Sequence, residues 1–342
     1  TPFCYINMTY KPLTSTHISP QHRSVMRFRD LAVGLLAVVY TSLLSFLALR
    51  GPFPALVPLG TPTAYRNLYI HVPQSIAALL LAAAAAAFAV LYLLKPTERR
   101  FLVMDRAAVL AAVFSWLSFF TGTAWAVESW GSAWSGDPRQ MAVGVMAVLY
   151  TAYIILKRSV EDPDRLGRLA ASYLIIAVAS IPVTLVAPIL FPALHPATGT
   201  ALPQLAPAIR MWYSTALIIL LALSALLVAG GRIPKPFALA ALAIAAAVGG
   251  YPLWENAQPL YRVFNATVSN GVIYVYTDRG ELSIPLDNAP VDPLVVSGTV
   301  ALVGHLLTER GEAAVHWSVG LNVVVTGLAV MLISLLGGRR HE

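Results

Sequence analysis

Residues 72–94 read VPQSIAALLLAAAAAAFAVLYLL, a stretch of 23 residues without a charged side chain. A helix rises by about 1.5 Å per residue, so this stretch is long enough to cross the roughly 30 Å hydrocarbon core of a bilayer. The chain contains seven further apolar stretches, separated by charged or Pro/Gly-rich breaks. The sequence therefore predicts an all-α polytopic membrane protein with about eight transmembrane helices, at 30–49, 72–94, 104–126, 140–157, 168–190, 211–230, 236–253 and 317–336.

The overall composition agrees with a membrane location. Of the 342 residues, 58% are hydrophobic and 11% are charged, whereas soluble domains carry about 25% charged residues. The single cysteine, Cys4, excludes an internal disulfide, a CxxC redox pair and a thiolate zinc site. The net charge of +7 is explained by loops that orient the spans, so we expect the lipid bilayer as a partner and no nucleic acid.

Lysines and arginines are distributed unevenly between the two sides of the predicted spans. Sixteen of the 23 lie before the first span, after the last one, or in the short connections on the same side. The other seven are spread over the longer loops of the opposite side. By the positive-inside rule, we expect both ends of the chain in the cytoplasm and the long loops outside a plasma or inner cell membrane.

Two segments outside the spans differ from the rest of the chain. Residues 1–25 contain three prolines and no apolar run, which predicts a flexible N-terminal tail. Residues 254–316 predict either a small extracytoplasmic β-rich domain or a linker with one hairpin. This segment contains three β-rich runs, at 272–277, 281–286 and 294–303. The first two flank an Asp-Arg-Gly turn.

Seven histidines are present, and none falls in the middle of a predicted span. This argues against a cytochrome that holds haem between facing helices inside the bilayer. His71 opens the second span, and His195 follows the fifth, both at the same predicted external depth. They could approach opposite faces of one planar ligand, or each could be an interfacial histidine hydrogen-bonded to a headgroup or a carbonyl.

Tryptophans are concentrated at the end of the third predicted span and in the external loop that follows it, from about residue 121 onward. Four of the seven tryptophans lie within residues 116–134, whereas an interfacial belt scatters aromatic residues over many helix ends. A large apolar ring with two carboxylates would suit such a surface beside a cation. The candidate rings are Trp125, Trp130 and Trp134, and the candidate cations are Arg139, Arg66 and Arg210. Asp137 is expected to cap or orient the loop.

Three motifs together resemble the haem-handling proteins of cytochrome c biogenesis. Residues 130–139, WGSAWSGDPR, resemble the tryptophan-rich WWD signature of that group, roughly WGxxWxWDxR. Residues 69–73, YIHVP, are similar to its first external-histidine segment, and residues 194–196, LHP, to its second. The motifs occur in the expected order within about residues 27–230. The likeness is greatest to the six-span cytochrome c maturation protein C family.

The resemblance implies a division of the chain and a function. It implies a six-span haem-handling core at 26–231, followed by a two-span appendage at 232–342 that the six-span pattern lacks. His71 and His195 would be the two axial ligands of the iron of a haem b at the external surface, with the Trp-rich loop and its cations around the ring. The protein would be a haem transporter and not an enzyme, working with ABC-type haem export subunits and delivering haem to a haem chaperone.

The chain departs from the family pattern at two positions of the signature. Ala133 and Gly136 stand where the family usually has tryptophan, so the platform keeps three rings and loses up to two. Each missing ring gives up about 0.5–1.5 kcal/mol of stacking, so haem affinity is expected to differ from the family's. In the appendage, His305 and His316 are expected to be structural or solvent-exposed, and His316 is the better candidate for a third, transient haem contact.

Two other functions are compatible with parts of the sequence. A b-type electron-transfer subunit would require haem near the bilayer centre, where no histidine is predicted. A small-molecule permease that no longer binds haem would require polar or broken helices, and Pro182 and Pro188 interrupt only one span.

Overall fold

The structure is a computed structural model, in which the chain is described over most of its length. The described residues are 27–54, 62–196, 202–256, 260–277, 279–285, 299–300, 306–308 and 317–338. The expected flexible tail at 1–25, and the histidines His305 and His316, lie outside them.

Nine α-helices and two short 3₁₀ helices account for most of the described chain. Counting α5 and α6 as one crossing, eight stretches are long and apolar enough to span a membrane, so the predicted fold class is confirmed. The 3₁₀ helices are Pro62–Asn67 and Leu202–Gln204. The α-helices are α1 Phe28–Arg50, α2 Leu68–Leu94, α3 Glu98–Trp130, α4 Pro138–Ser159, α5 Pro163–Ala177, α6 Ser180–Leu190, α7 Pro207–Val228, α8 Lys235–Asn256 and α9 Trp317–Gly338.

The fifth crossing is divided into two helices, as its prolines suggest. Pro182 has no backbone N–H and cannot bond the carbonyl of Val178. The N–H of Ile181 bonds that carbonyl instead, at 3.0 Å, so the last turn tightens. The break between α5 and α6 therefore falls one turn before the proline.

One large apolar cluster runs through the helices and includes the two C-terminal spans. Ala238 and Ala241 of α8 and Val323 of α9 are fully buried in the same cluster as Val33 of α1 and Ile70 of α2. Many members of this cluster in α2 and α3 are alanines, whose small side chains allow helix backbones to approach closely. These are Ala77, Ala78, Ala82, Ala85 and Ala89 in α2, with Ala107, Ala108, Ala111 and Ala112 in α3.

Several of the lysines and arginines used to predict membrane orientation also make hydrogen bonds or ion pairs within the protein. These contacts lie at the end of the helix bundle opposite His71. Arg29 donates to the carbonyls of Ala229 and Gly230 at 3.1 and 2.9 Å, and so satisfies groups left open at the end of α7. Lys157 pairs with the buried carboxylate of Asp105 at 2.7 Å. These contacts give Arg29 and Lys157 a structural role. The orientation of the chain in the membrane stays a prediction.

A small antiparallel sheet lies between α8 and α9. Its strands are β1 Leu260–Ser269, β2 Val272–Thr277, β3 Gly280–Pro285, β4 Thr299–Val300 and β5 Leu306–Thr308, in the order β3-β2-β1-β4, with β5 also paired to β1. The predicted hairpin of β2 and β3 is confirmed. Strand β1 was missed, although Asn270 and Gly271 (φ 51° and 73°) form the two-residue turn that an Asn-Gly pair favours.

Candidate functional site

His71 lies in the first turns of α2, which begins three residues before it at Leu68. Its Nδ1 is 3.1 Å from the hydroxyl of Thr121 in α3. That hydroxyl donates its own hydrogen to the carbonyl of Leu117 at 2.6 Å, so it accepts from His71. We therefore assign the proton of a neutral His71 to Nδ1, which leaves the lone pair on Nε2 available to a ligand.

A glycine allows α3 to approach this imidazole. A Cβ atom on Gly122 would lie 2.6 Å from Cε1 of His71, which is too close for any side chain. The backbone of α3 thus forms one wall beside the ring, and no larger residue fits at this position without moving the histidine.

His195 lies in an irregular segment after α6 and is held by one carboxylate, that of Asp137. Its Nδ1 is 2.7 Å from Oδ1 of Asp137. Oδ2 of the same carboxylate accepts from the backbone N–H groups of Leu194 and His195, at 2.8 and 3.1 Å. Because a carboxylate accepts, Nδ1 of His195 donates, and Nε2 is again the free ring nitrogen.

Asp137 is also the N-cap of α4. Its Oδ1 accepts from the backbone N–H groups of Arg139 and Gln140 at 2.9 and 3.1 Å, and Pro138 occupies the first helical position. Burial alone would raise the pKa of Asp137, but the hydrogen bonds and charge of His195, with the backbone donors, lower that pKa well below its usual range. The carboxylate is therefore ionised at neutral pH and couples the start of α4 to the histidine segment.

Two of the three predicted platform tryptophans lie on a helix: Trp125 falls inside the predicted third span, and the prediction of Trp130 as a loop residue was wrong. Gly122 is helical and residues 123–130 contain neither glycine nor proline, so α3 continues to Trp130 and ends where Gly131 adopts φ 73°. Trp125 contacts His71 edge-to-face with ring centroids 5.9 Å apart, and Trp130 contacts His195 in the same way at 4.8 Å.

Both histidines thus pack against tryptophans at the end of α3. Trp125 and Trp130 are five residues apart, which corresponds to about 7.5 Å along the helix axis. Each ring packs against the imidazole nearest to it. Trp134 lies in the following loop, is 52% exposed, and contacts Phe119 with centroids 6.0 Å apart. It extends the aromatic surface toward solvent.

The three candidate cations have different surroundings. Arg139 donates to the carbonyl of Pro196 at 3.4 Å and so joins the His195 segment. The guanidinium of Arg66 faces the end of α1, where it donates to the carbonyls of Gly51 and Ala48 at 2.9 and 3.4 Å. Arg210 is exposed in the first turn of α7, at the same end of the bundle. The structure therefore brings Arg139 to the histidine site and ties Arg66 to another helix end.

Comparison with known proteins matches the part of the chain that forms this site. The family described as "Heme exporter protein C" matches residues 19–232. This chain belongs to the heme exporter protein C family. The prediction from the three motifs is thereby confirmed, and the matched range includes both histidines, the tryptophans and Asp137.

Individual members of the heme exporter protein C family match a shorter region. The protein of that name from Escherichia coli (strain K12) is 31% identical over 120 residues, 35% of this chain and 49% of that protein. The one from Haemophilus influenzae (strain ATCC 51907 / DSM 11121 / KW20 / Rd) is 30% identical over 118 residues, 34% and 48%. A putative cytochrome c biosynthesis ccmC-like mitochondrial protein from Marchantia polymorpha is 29% identical over 119 residues, 35% and 50%. The chain spans about half the length of these relatives.

The two departures from the family signature have a local explanation in the loop after α3. Gly136 adopts φ 72°, a left-handed conformation that glycine tolerates far better than tryptophan does. The carbonyl of Ala133 accepts from the side-chain amide of Gln140 at 2.6 Å, so the loop is closed onto α4. These contacts hold the loop at the place where the signature of the heme exporter protein C family has additional rings.

Sequence reasoning missed the residues that orient His71. Thr121 and Gly122 are fifty and fifty-one positions away along the chain, and their contact with the imidazole arises only when α2 and α3 pack. Tyr65 was also missed, and its ring lies 5.5 Å from Trp125, on the 3₁₀ helix that precedes α2. No local pattern marks these pairings.

Proposed function

We propose that this protein binds haem b at its external surface between His71 and His195 and delivers it in cytochrome c biogenesis. The observation that carries the proposal is the hydrogen bonding of Nδ1 in both imidazoles. In each, Nδ1 donates to an oxygen of the protein, so that Nε2 is presented as a neutral ligand. A fixed Nδ1 hydrogen bond is the usual companion of a metal-ligating histidine, because it sets the tautomer and the ring orientation.

Haem is the cargo in this proposal, and the residues around the histidines suit it. Haem iron accepts imidazole nitrogen as an axial ligand, and the tryptophans offer flat apolar area to a porphyrin. The indole Nε1 of Trp125 is buried and has no hydrogen-bond partner among the described residues. A buried N–H without an acceptor is costly, and a carboxylate of the cargo would satisfy it. Arg139 supplies positive charge on the His195 side.

The surface around Trp134 supports a role in transfer and not only in storage. The loop from Gly131 to Gly136 is exposed throughout, so a cargo on the aromatic surface would remain accessible to another protein. We propose that the acceptor is the haem chaperone of cytochrome c maturation and that ABC-type haem export subunits work with this chain. We further propose that the histidine side faces outward and that both ends of the chain lie in the cytoplasm.

The proposal is tested with the visible spectrum of the detergent-purified protein after haem is supplied, in the oxidised and reduced states. The wild type is expected to give a low-spin spectrum of a bis-histidine b-type haem. His71→Ala and His195→Ala should each convert it to high spin or abolish it, while His305→Ala serves as the histidine control. A wild type that takes up no haem, or variants that keep the low-spin spectrum, would contradict the proposal.

A further inference from the structure

The last helix, α9, carries a buried polar stripe. Ser318, Asn322 and Thr326 are spaced four residues apart, so they share one face of the helix. Their exposed fractions are 0%, 0% and 3%, although α9 is apolar enough to cross a membrane. Burying a polar side chain in apolar surroundings costs free energy unless it is hydrogen-bonded, so the stripe requires partners on neighbouring helices.

These partners lie on both sides of His71. Asn67, four residues before the histidine, donates its amide hydrogen to the hydroxyl of Ser318 at 2.9 Å. Gln74, three residues after it, donates to the hydroxyl of Thr326 at 2.7 Å. Both amide side chains are fully buried. The start of α2, with His71 between these two contacts, is therefore attached to α9 at two points.

Asn322 bonds the residue that orients the imidazole. Its Nδ2 donates to the backbone carbonyl of Thr121 at 3.0 Å and to Oδ1 of Asn67 at 2.8 Å. A backbone carbonyl can only accept, so this contact fixes which way the amide of Asn322 points, and in turn that of Asn67. Thr121 is the residue whose hydroxyl accepts from Nδ1 of His71. One side chain of α9 thus joins both helices that define the position of the histidine.

Helix α8 packs very closely against α9. A Cβ atom on Gly249 would lie 2.6 Å from the carbonyl oxygen of Gly320, and one on Gly327 would lie 2.5 Å from the Cβ of Ala245. Glycine at these positions lets the two helices touch along their backbones. Both helices lie beyond residues 19–232, the part of the chain that the family matches.

We propose that α9 is a positioning element of the histidine site, with Asn322 as the positioning residue that holds Thr121 and the start of α2 in place for His71. The expected effect on haem binding rests on the proposed function, because the orientation of the imidazole affects binding only if the imidazole ligates the iron. The two spans that follow the family region are then part of the site, and the chain needs them for a well-ordered His71.

The test separates positioning from ordinary helix packing with variants of one helix. Asn322→Ala removes the bonds to Thr121 and Asn67, and Thr326→Val removes the hydroxyl that Gln74 bonds, which Thr326→Ser retains. Ser334→Ala is the control, because Ser334 is also buried in α9 and donates to the carbonyl of Ile233 at 2.7 Å, near the other end of the helix. Thermal unfolding of each variant in detergent reports how much stability is lost.

The first readout is haem affinity together with the spin state of the bound haem. Asn322→Ala is expected to bind haem about tenfold more weakly, which corresponds to about 1.4 kcal/mol, with a larger high-spin fraction. Thr326→Val should change in the same direction, and Thr326→Ser and Ser334→Ala should match the wild type. Equal affinity and spectra for Asn322→Ala and Ser334→Ala would overturn the inference and leave the proposed function standing.

The second readout needs no haem. The rate at which diethyl pyrocarbonate modifies His71 in the haem-free protein, followed by mass spectrometry, reports how tightly the imidazole is held. Asn322→Ala should raise this rate several-fold and Ser334→Ala should not. If the wild type bound no haem, the proposed function would fail, and a raised rate would still support the positioning role. An unchanged rate would overturn that role.

Discussion

Asp137 can be tested with a nearly isosteric substitution, Asp137→Asn. The Asp137 side chain is 0% exposed and accepts five hydrogen bonds, three at Oδ1 and two at Oδ2. An asparagine amide has one accepting oxygen and one donating nitrogen. In one orientation its NH₂ faces the backbone N–H groups of Leu194 and His195, and in the other it faces the N–H groups of the α4 cap. Neither orientation satisfies all the donors.

The magnitude follows from the bonds that are lost. A hydrogen bond to a charged group contributes about 1.5–3 kcal/mol, so losing the two backbone bonds at Oδ2 costs about 3 kcal/mol at the lower end. Because these bonds hold only the His195 segment, we expect the segment to detach while the helices stay folded. Ligation by His195 must then overcome the cost of ordering the segment again. About 3 kcal/mol corresponds to haem affinity weakened by roughly 100-fold, with conversion toward high spin.

The assay is titration of the haem-free protein with haem, followed in the Soret region, for the wild type and two variants. Asp162→Asn is a matched control, because Asp162 also precedes a proline and caps α5 through the N–H groups of Asp164 and Arg165, at 2.9 and 3.4 Å. Its substitution replaces a charged helix cap by a neutral one without touching a histidine. An Asp137→Asn protein with wild-type affinity and spectrum would refute the reasoning. Equal losses in both variants would assign the effect to capping.

Three further predictions concern the same site. Gly122→Ala should displace His71 and raise the high-spin fraction of bound haem. Gly250→Ala should leave the spectrum unchanged, because a Cβ atom on this helical glycine would meet none of the described atoms within 4 Å. Trp125→Phe should leave the thermal stability of the haem-free protein unchanged or higher, because it removes a buried N–H that has no acceptor among the described residues. The same substitution should weaken haem binding in the titration. Folding lowers the pKa of Asp137, so the ionised carboxylate contributes its full stability above the unfolded pKa of about 3.9. This contribution is lost as the pH falls below that value. The difference in melting temperature between the wild type and Asp137→Asn should therefore be constant near neutral pH and shrink below about pH 4.

Most of the transmembrane architecture could be predicted because it depends on local composition. Apolar runs long enough to cross a bilayer have few alternatives to a helix, since every backbone polar group must be satisfied within the segment. The hairpin of β2 and β3 was predicted for a similar local reason, its Asp-Arg-Gly turn between β-rich runs. The end of α3 was placed too early because its tryptophans were taken to mark a loop, although the first helix-terminating residue after residue 121 with positive φ is Gly131.

The candidate site was only partly predictable because its contacts connect distant parts of the chain. Motifs identified His71 and His195 separately, but Asp137 is 58 positions from His195 and Thr121 is 50 from His71. The role of Asn322 had one local signal, since an amide within an apolar span requires a partner inside the protein. The identity of that partner follows only from the packing of α9 against α3.

The two histidines are held so differently that we expect them to release a shared ligand in a fixed order. His71 is on a regular helix and bonds a fully buried threonine, whereas His195 is on an irregular segment held mainly by Asp137. Breaking contacts of the segment disturbs no helix, so the His195 side should open first. Carbon monoxide, added to the reduced haem-loaded protein, should therefore replace His195. The resulting spectrum should match that of His195→Ala with carbon monoxide, and a match to His71→Ala instead would show that the helix-borne ligand is the weaker one.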